Sequence, residues 1–307
     1  MDVSVIIPSC GRVSAIQTVA SILTCSAENL SWEIIVVTPC FFKEAASPLV
    51  KQIVIPQIVP PGKARNIGAQ QAVGDLLLFV DDDCVVPPDW LKVNYQAWKS
   101  EQALVYGGQI IDCSNTYWGQ ALGWSNFSYC RLPYPTRRFV SSTTLAVGRD
   151  VFTAVGGFDE HLMIKEDTDF CFRVKNLWLD LSKDNKATEH PYLYLPSIKV
   201  FHNHSRRRFK EFVSYMYRNG RLSGWQVERQ YTAGNKEQSL SFVSFIIGLL
   251  DSRFGLIFAF VPLSLLAAIT MVFVNIAYNP IVILYLPAVL LGKLATWLGI
   301  LVWRWRE

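Results

Sequence analysis

Residues Leu76–Val80 read "LLLFV", an unbroken apolar run, and the next three positions are Asp81, Asp82 and Asp83. A strand without polar alternation has no face to offer water, so both of its faces must be covered. "VSVIIP" (Val3–Pro8) and "EIIVVTP" (Glu33–Pro39) have the same character: short, β-branched and fully apolar. Between them, Ser14 to Thr24 carries helical spacing, and "KQIVIP" (Lys51–Pro56) reads as a third strand. "GKARNIGAQQAVG" (Gly62–Gly74) reads as a helix rich in Ala and Gln that Gly74 stops. Strands alternating with helices predict an α/β domain, with a Rossmann-like, doubly wound and mostly parallel central sheet.

That order puts the three carboxylates at the C-terminal end of a central strand, the edge at which open parallel sheets bind ligands. Three adjacent negative charges repel one another until a cation arrives. Side chains alternate with period two along a strand, which directs Asp81 and Asp83 to the same side. Their hard oxygen donors suit Mg²⁺ or Mn²⁺ together with substrate phosphates. A surface turn with helix-capping aspartates explains the same triplet without any metal.

A second acidic group, "KEDTDF", brings Glu166, Asp167 and Asp169 to a helix start. Negative charge there is favourable by roughly 0.3–1 kcal/mol, a stabilising role that requires no chemistry. A third group is "VFHNHSRRRF", in which His202 and His204 stand at period two. Either imidazole can complete a metal shell or bind a diphosphate, and either can be a hydrogen-bonded structural histidine. Arg206, Arg207 and Arg208 suit a diphosphate or a membrane surface.

The chain is 51% hydrophobic and only 18% charged, and the excess lies at its end: no charged side chain occurs from Phe254 to Gly292. Two transmembrane helices are expected, at about 254–277 and 281–303, broken at "YNP" (Tyr278–Pro280). Arg253 before the first and Arg304 and Arg306 after the second place both ends on the cytoplasmic side, as a hairpin. A buried helical hairpin in a soluble protein is the alternative. Lys293 snorkels or faces the partner helix, and "LSFVSFIIGLL" (Leu240–Leu250) has the look of an interfacial helix. The net charge of +4 is mild and shows no basic stripe interleaved with aromatics, so nucleic acid is not an expected partner. Seven cysteines without a CxxC spacing point to reduced thiols in a cytosolic domain.

Four segments, "VSVIIPSCGR", "GKARNIGAQQAVGDLLLFVDDDCVVPPDWL", "AVGRDVFTAVGGFDEHLMIKEDTDFCFRV" and the histidine stretch, occur in an order that resembles family 2 glycosyltransferases. The resemblance implies a GT-A fold over residues 1–235, with residues 240–307 as the membrane-anchoring region. It implies inverting transfer of a sugar from a nucleotide-diphosphate donor to an acceptor hydroxyl; a carbohydrate or lipid-linked acceptor at the cytoplasmic face of an inner or plasma membrane is the expectation that the hairpin adds. Position by position, Asp81 and Asp83 match the element that holds metal and donor, with Asp82 between them. Pro8, Arg65 and Asn66 match donor-binding positions, Asp167 matches the general base, and Glu166 is its close partner. His202 or His204 matches a late histidine of the metal site. The chemistry agrees: inversion needs one carboxylate to take the acceptor proton and a cation to stabilise the departing diphosphate. The segment "VVTPCFF" (Val36–Phe42) lacks the acidic residues common there in that family. A non-catalytic membrane scaffold with a degenerate nucleotide-binding domain is therefore the competing reading.

Overall fold

The computed structural model describes residues 1–27, 29–127, 139–222, 253–276 and 279–304. Two compact units emerge, Met1–Ile111 with Pro133–Asn203, and Asp112–Leu132 with His204–Glu307.

The first unit is an eight-stranded sheet flanked by helices. Its elements are β1 (Val3–Pro8), α1 (Ser14–Leu23), β2 (Trp32–Thr38), β3 (Val50–Val54), α2 (Pro61–Gln71), β4 (Leu76–Phe79), β5 (Cys84–Val85), α3 (Trp90–Lys99) and β6 (Ala103–Asp112). They continue with β7 (Leu145–Gly148), α5 (Arg149–Ala154), α6 (Glu166–Lys183) and β8 (His190–His202); α4 belongs to the second unit. The strand order is β3-β2-β1-β4-β7-β6-β8-β5. The β3-β2-β1-β4 half is parallel, as expected, but β4 pairs antiparallel with β7, β7 with β6, and β5 with β8. The sheet is mixed rather than mostly parallel. β7 reads "LAVG" and is buried along its whole length, as β4 is. Such a run reports burial on both faces and carries no sign of strand direction, which is why the antiparallel half was not legible.

Local sequence accounts for the helices that frame the site. α1 buries Ala15, Thr18, Val19 and Ile22, one stripe at helical spacing. α2 opens on Pro61, whose fixed φ suits the first helical position. At Gly68 a Cβ would stand 2.5 Å from Ile6 Cγ2, so only glycine lets α2 approach β1 this closely. Phe79 at the end of β4 meets the Phe158 ring edge-on at 5.2 Å, and Phe158 meets Phe170 of α6 at 4.8 Å. Aromatic pairs of this kind add about 0.5–1.5 kcal/mol beyond burial. They pin the start of α6 to the end of β4.

The second unit contains α4 (Tyr117–Phe127), α7 (Phe209–Leu222), α8 (Arg253–Ile276), a 3₁₀ segment Pro280–Tyr285 and α9 (Leu286–Arg304). Among the described residues one stretch, Pro280–Ile300, is long and apolar enough to cross a membrane, and the apolar stretch Ser264–Ile276 is shorter. Of the two expected spans, the described residues thus show one such stretch, while α8 is a helix over Arg253–Ile276. Uninterrupted apolar sequence does not separate a lipid-facing helix from one covered by protein, and Phe212 and Met216 of α7 pack with Ala288 and Val289 of α9. The expected interfacial helix at 240–250 lies outside the described residues.

Candidate active site

β4 stops at Phe79, and Asp81–Asp83 form the turn that leads into β5. Leaving the strand breaks the period-two alternation, so the carboxylates take different partners. Asp81 accepts hydrogen bonds from Arg65 Nη2 at 2.7 Å and Thr143 Oγ1 at 2.8 Å. Asp82 is fully buried and accepts from Ser9 Oγ at 2.7 Å and from the Arg12 guanidinium. Asp83 accepts from Arg12 Nη1 at 2.9 Å, and its other oxygen lies 3.2 Å from His202 Nε2.

Arg65 joins the two acidic groups. Its guanidinium, 3% exposed, donates to Asp81 through Nη2 and to Glu166 Oε1 through Nη1 at 2.6 Å. Burial works to lower the Arg65 pKa, but Asp81 and Glu166 outweigh it and the pKa is raised. Burial pushes the Glu166 carboxyl up, against the pull of Arg65, and neighbouring Asp167 adds to the rise. Asp167 is partly exposed; its Oδ2 accepts from Ser142 N at 3.3 Å and its Oδ1 from Thr168 N at 2.7 Å. Lys165, just before α6, takes the left-handed φ of 66°, which turns the chain sharply into these two carboxylates.

Other sequence candidates have structural partners. Asn66 Nδ2 donates to the Phe158 carbonyl at 2.8 Å and its Oδ1 accepts from Phe158 N at 2.9 Å, fixing the loop ahead of α6. Asp169 Oδ2 accepts from Arg173 Nη2 at 2.7 Å and Nε at 2.9 Å. Pro8 closes β1 beside Val37 of β2.

For a metal, the described residues hold one fitting cluster: Asp83, Cys84 and His202, all buried, with ligand atoms within 4.8 Å of one another. β5 pairs Cys84 with His202 of β8, so backbone register brings the imidazole to the Asp turn. A carboxylate and an imidazole fit Mn²⁺ or Mg²⁺; burial pushes the Cys84 thiol well up, and a protonated thiol is a poor ligand for a hard cation. His204 lies in the second unit, 3.7 Å from Asp112, with its Nδ1 accepting from Arg206 N. β8 ends at His202, so the period-two alternation that would aim both histidines together does not extend to His204.

Ser9, Arg12, Ser142 and Thr143 escaped the sequence reading. Arg12 sits in the quoted "SCGR", but nothing local marks it as the partner of residues 70 positions away. The hydroxyl run "SSTT" (Ser141–Thr144) carried the only signal for the other two.

The glycosyl transferase family 2 profile matches residues 4–156, from β1 into the turn after α5. The chain carries a glycosyltransferase family 2 domain. The fold agrees: the chain as a whole resembles the mannosyltransferase PcManGT from Pyrobaculum calidifontis, solved with GDP-Man and Mn²⁺. The TM-score is 0.58 at 14% identity, covering 99% of this chain and 87% of that one. GalNAc-T7 with UDP, GalNAc and Mn²⁺ gives a TM-score of 0.50 at 16% identity, covering 76% and 54%. Among curated proteins, the O-antigen biosynthesis protein RfbC of Myxococcus xanthus is 29% identical over 191 residues, covering 53% of this chain. The glycosyltransferase AglE of Haloferax volcanii is 24% identical over 170 residues, covering 54%. The matched part spans 15% of the first relative's length and 52% of the second's.

Proposed function

We propose that this chain moves a sugar from a nucleoside diphosphate donor to an acceptor hydroxyl, with inversion, while attached to a membrane. The observation that carries the reading is Arg65: it ties Asp81 in the acidic turn, 16 positions away, to Glu166, beside Asp167 and 101 positions away. One site thereby holds a carboxylate group suited to a cation and another suited to a proton.

Asp167 acts as general base, taking the acceptor's hydroxyl proton on a carboxylate oxygen as that hydroxyl attacks the anomeric carbon. Glu166, held by Arg65, raises the negative potential at Asp167 and keeps α6 in place. Asp83 and His202 would hold Mn²⁺ or Mg²⁺, which would supply positive charge for the departing diphosphate. Asp81, Asp82, Pro8 and Arg65 border the donor, and Asn66 fixes the loop beneath it. Mn²⁺ beside GDP-mannose and UDP in the two structural neighbours supports the metal and the donor class. The apolar C-terminal helices support attachment to the cytoplasmic face of an inner or plasma membrane, and a carbohydrate or lipid-linked acceptor follows from that location.

The test is nucleotide binding and sugar transfer on the purified chain with UDP- and GDP-sugars, with and without Mn²⁺. Asp167→Asn keeps metal-dependent nucleotide binding and loses transfer by about 10²–10⁴-fold. Undiminished transfer in that variant overturns the base assignment. Nucleotide binding that Mn²⁺ does not enhance favours the scaffold reading instead.

A further inference from the structure

We infer that Thr143 is a positioning residue for the proposed transfer: together with the Ser142 N–H it aims the Asp167 carboxylate from the same turn that grips Asp81. The inference rests on the transferase reading above and deepens it, by naming what holds the base and which of its oxygens takes the proton.

Arg65 is one of two links between the acidic turn and the start of α6, and the second link is neutral. Asp81 Oδ2 accepts from Thr143 Oγ1 at 2.8 Å, and Asp167 Oδ2 accepts from the backbone N–H of the preceding residue, Ser142, at 3.3 Å. Asp81 Oδ1 is bonded to Arg65, and Arg65 to Glu166. The contacts therefore close into a ring through Asp81, Arg65, Glu166, Asp167, Ser142 and Thr143. Such a ring fixes the base carboxylate relative to Asp81 from two sides.

The neutral link is anchored at both ends. Val140 donates its N–H to Cys171 Sγ at 3.3 Å, and that thiol lies on α6 one turn beyond Asp167. Thr144 Oγ1 accepts from Gly108 N of β6 at 3.1 Å. A Cβ on Gly107 would stand 2.1 Å from Val140 Cγ1, so β6 and this segment pack closer than a side chain allows. Between the anchors, Thr144 N donates to the Ser141 carbonyl at 3.0 Å, and Ser141 Oγ donates to Thr143 Oγ1 at 3.2 Å. Ser141, Ser142, Thr143 and Thr144 are all buried. The Thr143 hydroxyl thus commits its one proton to Asp81 and a lone pair to Ser141.

The hydrogen bonds also separate the two oxygens of the base. Asp167 Oδ1 accepts from Thr168 N at 2.7 Å and from Thr168 Oγ1 at 3.3 Å, which occupies both of its lone pairs. Among the described residues Oδ2 accepts from Ser142 N alone, which leaves it a lone pair. Oδ2 is therefore the oxygen that receives the acceptor's hydroxyl proton, as the acceptor oxygen bonds to the anomeric carbon and the bond to the diphosphate breaks.

The experiment compares the full chain with Thr143→Val and Thr143→Ser, and repeats Thr143→Val on an Asp167→Asn background. Valine keeps the branched shape and removes the hydroxyl. Asp81 is 27% exposed, so water replaces the lost partner and the urea midpoint stays with that of the parent. Calorimetry with UDP or GDP and Mn²⁺ reads nucleotide binding, and nucleotide released from the UDP- or GDP-sugar that the parent consumes reads turnover. Thr143→Val lowers kcat about 10–10²-fold, the scale of a misplaced reacting group, and moves the nucleotide Kd by less than about threefold. Thr143→Ser, which keeps the hydroxyl, recovers kcat to within about threefold of the parent. On Asp167→Asn the valine substitution changes kcat by less than about twofold, because the group it positions is gone. An equal loss on both backgrounds, a Kd that rises as far as kcat falls, a serine variant as slow as valine, or a lowered urea midpoint overturns the inference and leaves the transferase reading intact. A parent that neither binds nucleotide with Mn²⁺ nor consumes a nucleotide sugar overturns that reading and the inference with it.

Discussion

Two guanidiniums serve the acidic turn, and they are built differently. Arg65 is 3% exposed and divides its donors between Asp81 and Glu166, closing a buried contact between distant parts of the sheet. Arg12 is 37% exposed and gives both sets of donors to Asp82 and Asp83, the side that His202 also faces. A buried ion pair is costly to break because the remaining charge stays in low dielectric; the partners of both arginines are largely buried, but the Arg12 guanidinium itself reaches solvent. The difference teaches a division of labour: Arg65 is enclosed as a strut of the site, and Arg12 is a counter-ion within reach of solvent, which under the proposed function a metal and a diphosphate would displace.

The sharpest way to break this comparison is to remove each arginine. Arg65→Ala leaves two carboxylates without their cation and should lower stability by about 3–5 kcal/mol, read from the urea midpoint. A loss equal to that of Arg12→Ala would end the distinction. Arg12→Ala takes a cation from Asp82 and Asp83, both buried, and should cost about 1–3 kcal/mol, less than the Arg65 variant. With its competitor gone, Mn²⁺ should bind the variant more tightly in calorimetry, and weaker binding would show that Arg12 assists the cation instead.

A pH series sharpens the same contrast. Burial pushes the Asp82 carboxyl up, opposed by Arg12 and Ser9. The folded state therefore keeps this proton where the unfolded chain, near pH 3.9, has already released it, so stability falls as pH rises through the folded value. Without Arg12 the folded pKa rises further. The stability gap between parent and Arg12→Ala should widen from pH 4 towards pH 8, and a constant gap would contradict the assignment.

The smallest effect is chemical. Exposed Cys10 stands two residues from Arg12, while Cys171, held against the Val140 backbone near the Arg65 side, is pushed up to about 12 by burial. A thiol reagent at pH 8 should modify Cys10 and leave Cys171 silent. Nucleotide with Mn²⁺ should slow the reaction at Cys10, and an unchanged rate would place the donor elsewhere.

Much of the first half of the fold was legible because its signals are local. β1, β2 and β4 are continuous apolar runs, and α2 announces itself with Pro61 and ends within three residues of the expected Gly74. The reversal of β7 was hidden, since burial on both faces looks the same in either direction. In the site, the acidic clusters drew attention to Asp81, Asp83, Glu166 and Asp167, and the family resemblance gave them their expected roles. What joins them was not legible: Arg12 and Thr143 act through contacts 62 to 71 positions long. The two histidines show the limit of periodicity, because the strand that aligns His202 with Asp83 ends before His204.

The Arg65 bridge also has a consequence for biosynthesis. A ribosome that has delivered residues 1–160 has made β4 and its acidic turn but not the residue that shares their guanidinium. Until α6 emerges and docks, the nascent chain holds an acidic turn whose guanidinium lacks its second carboxylate. Contacts this distant in sequence close late, so the two acidic groups meet only when the last helix of the sheet's unit is in place.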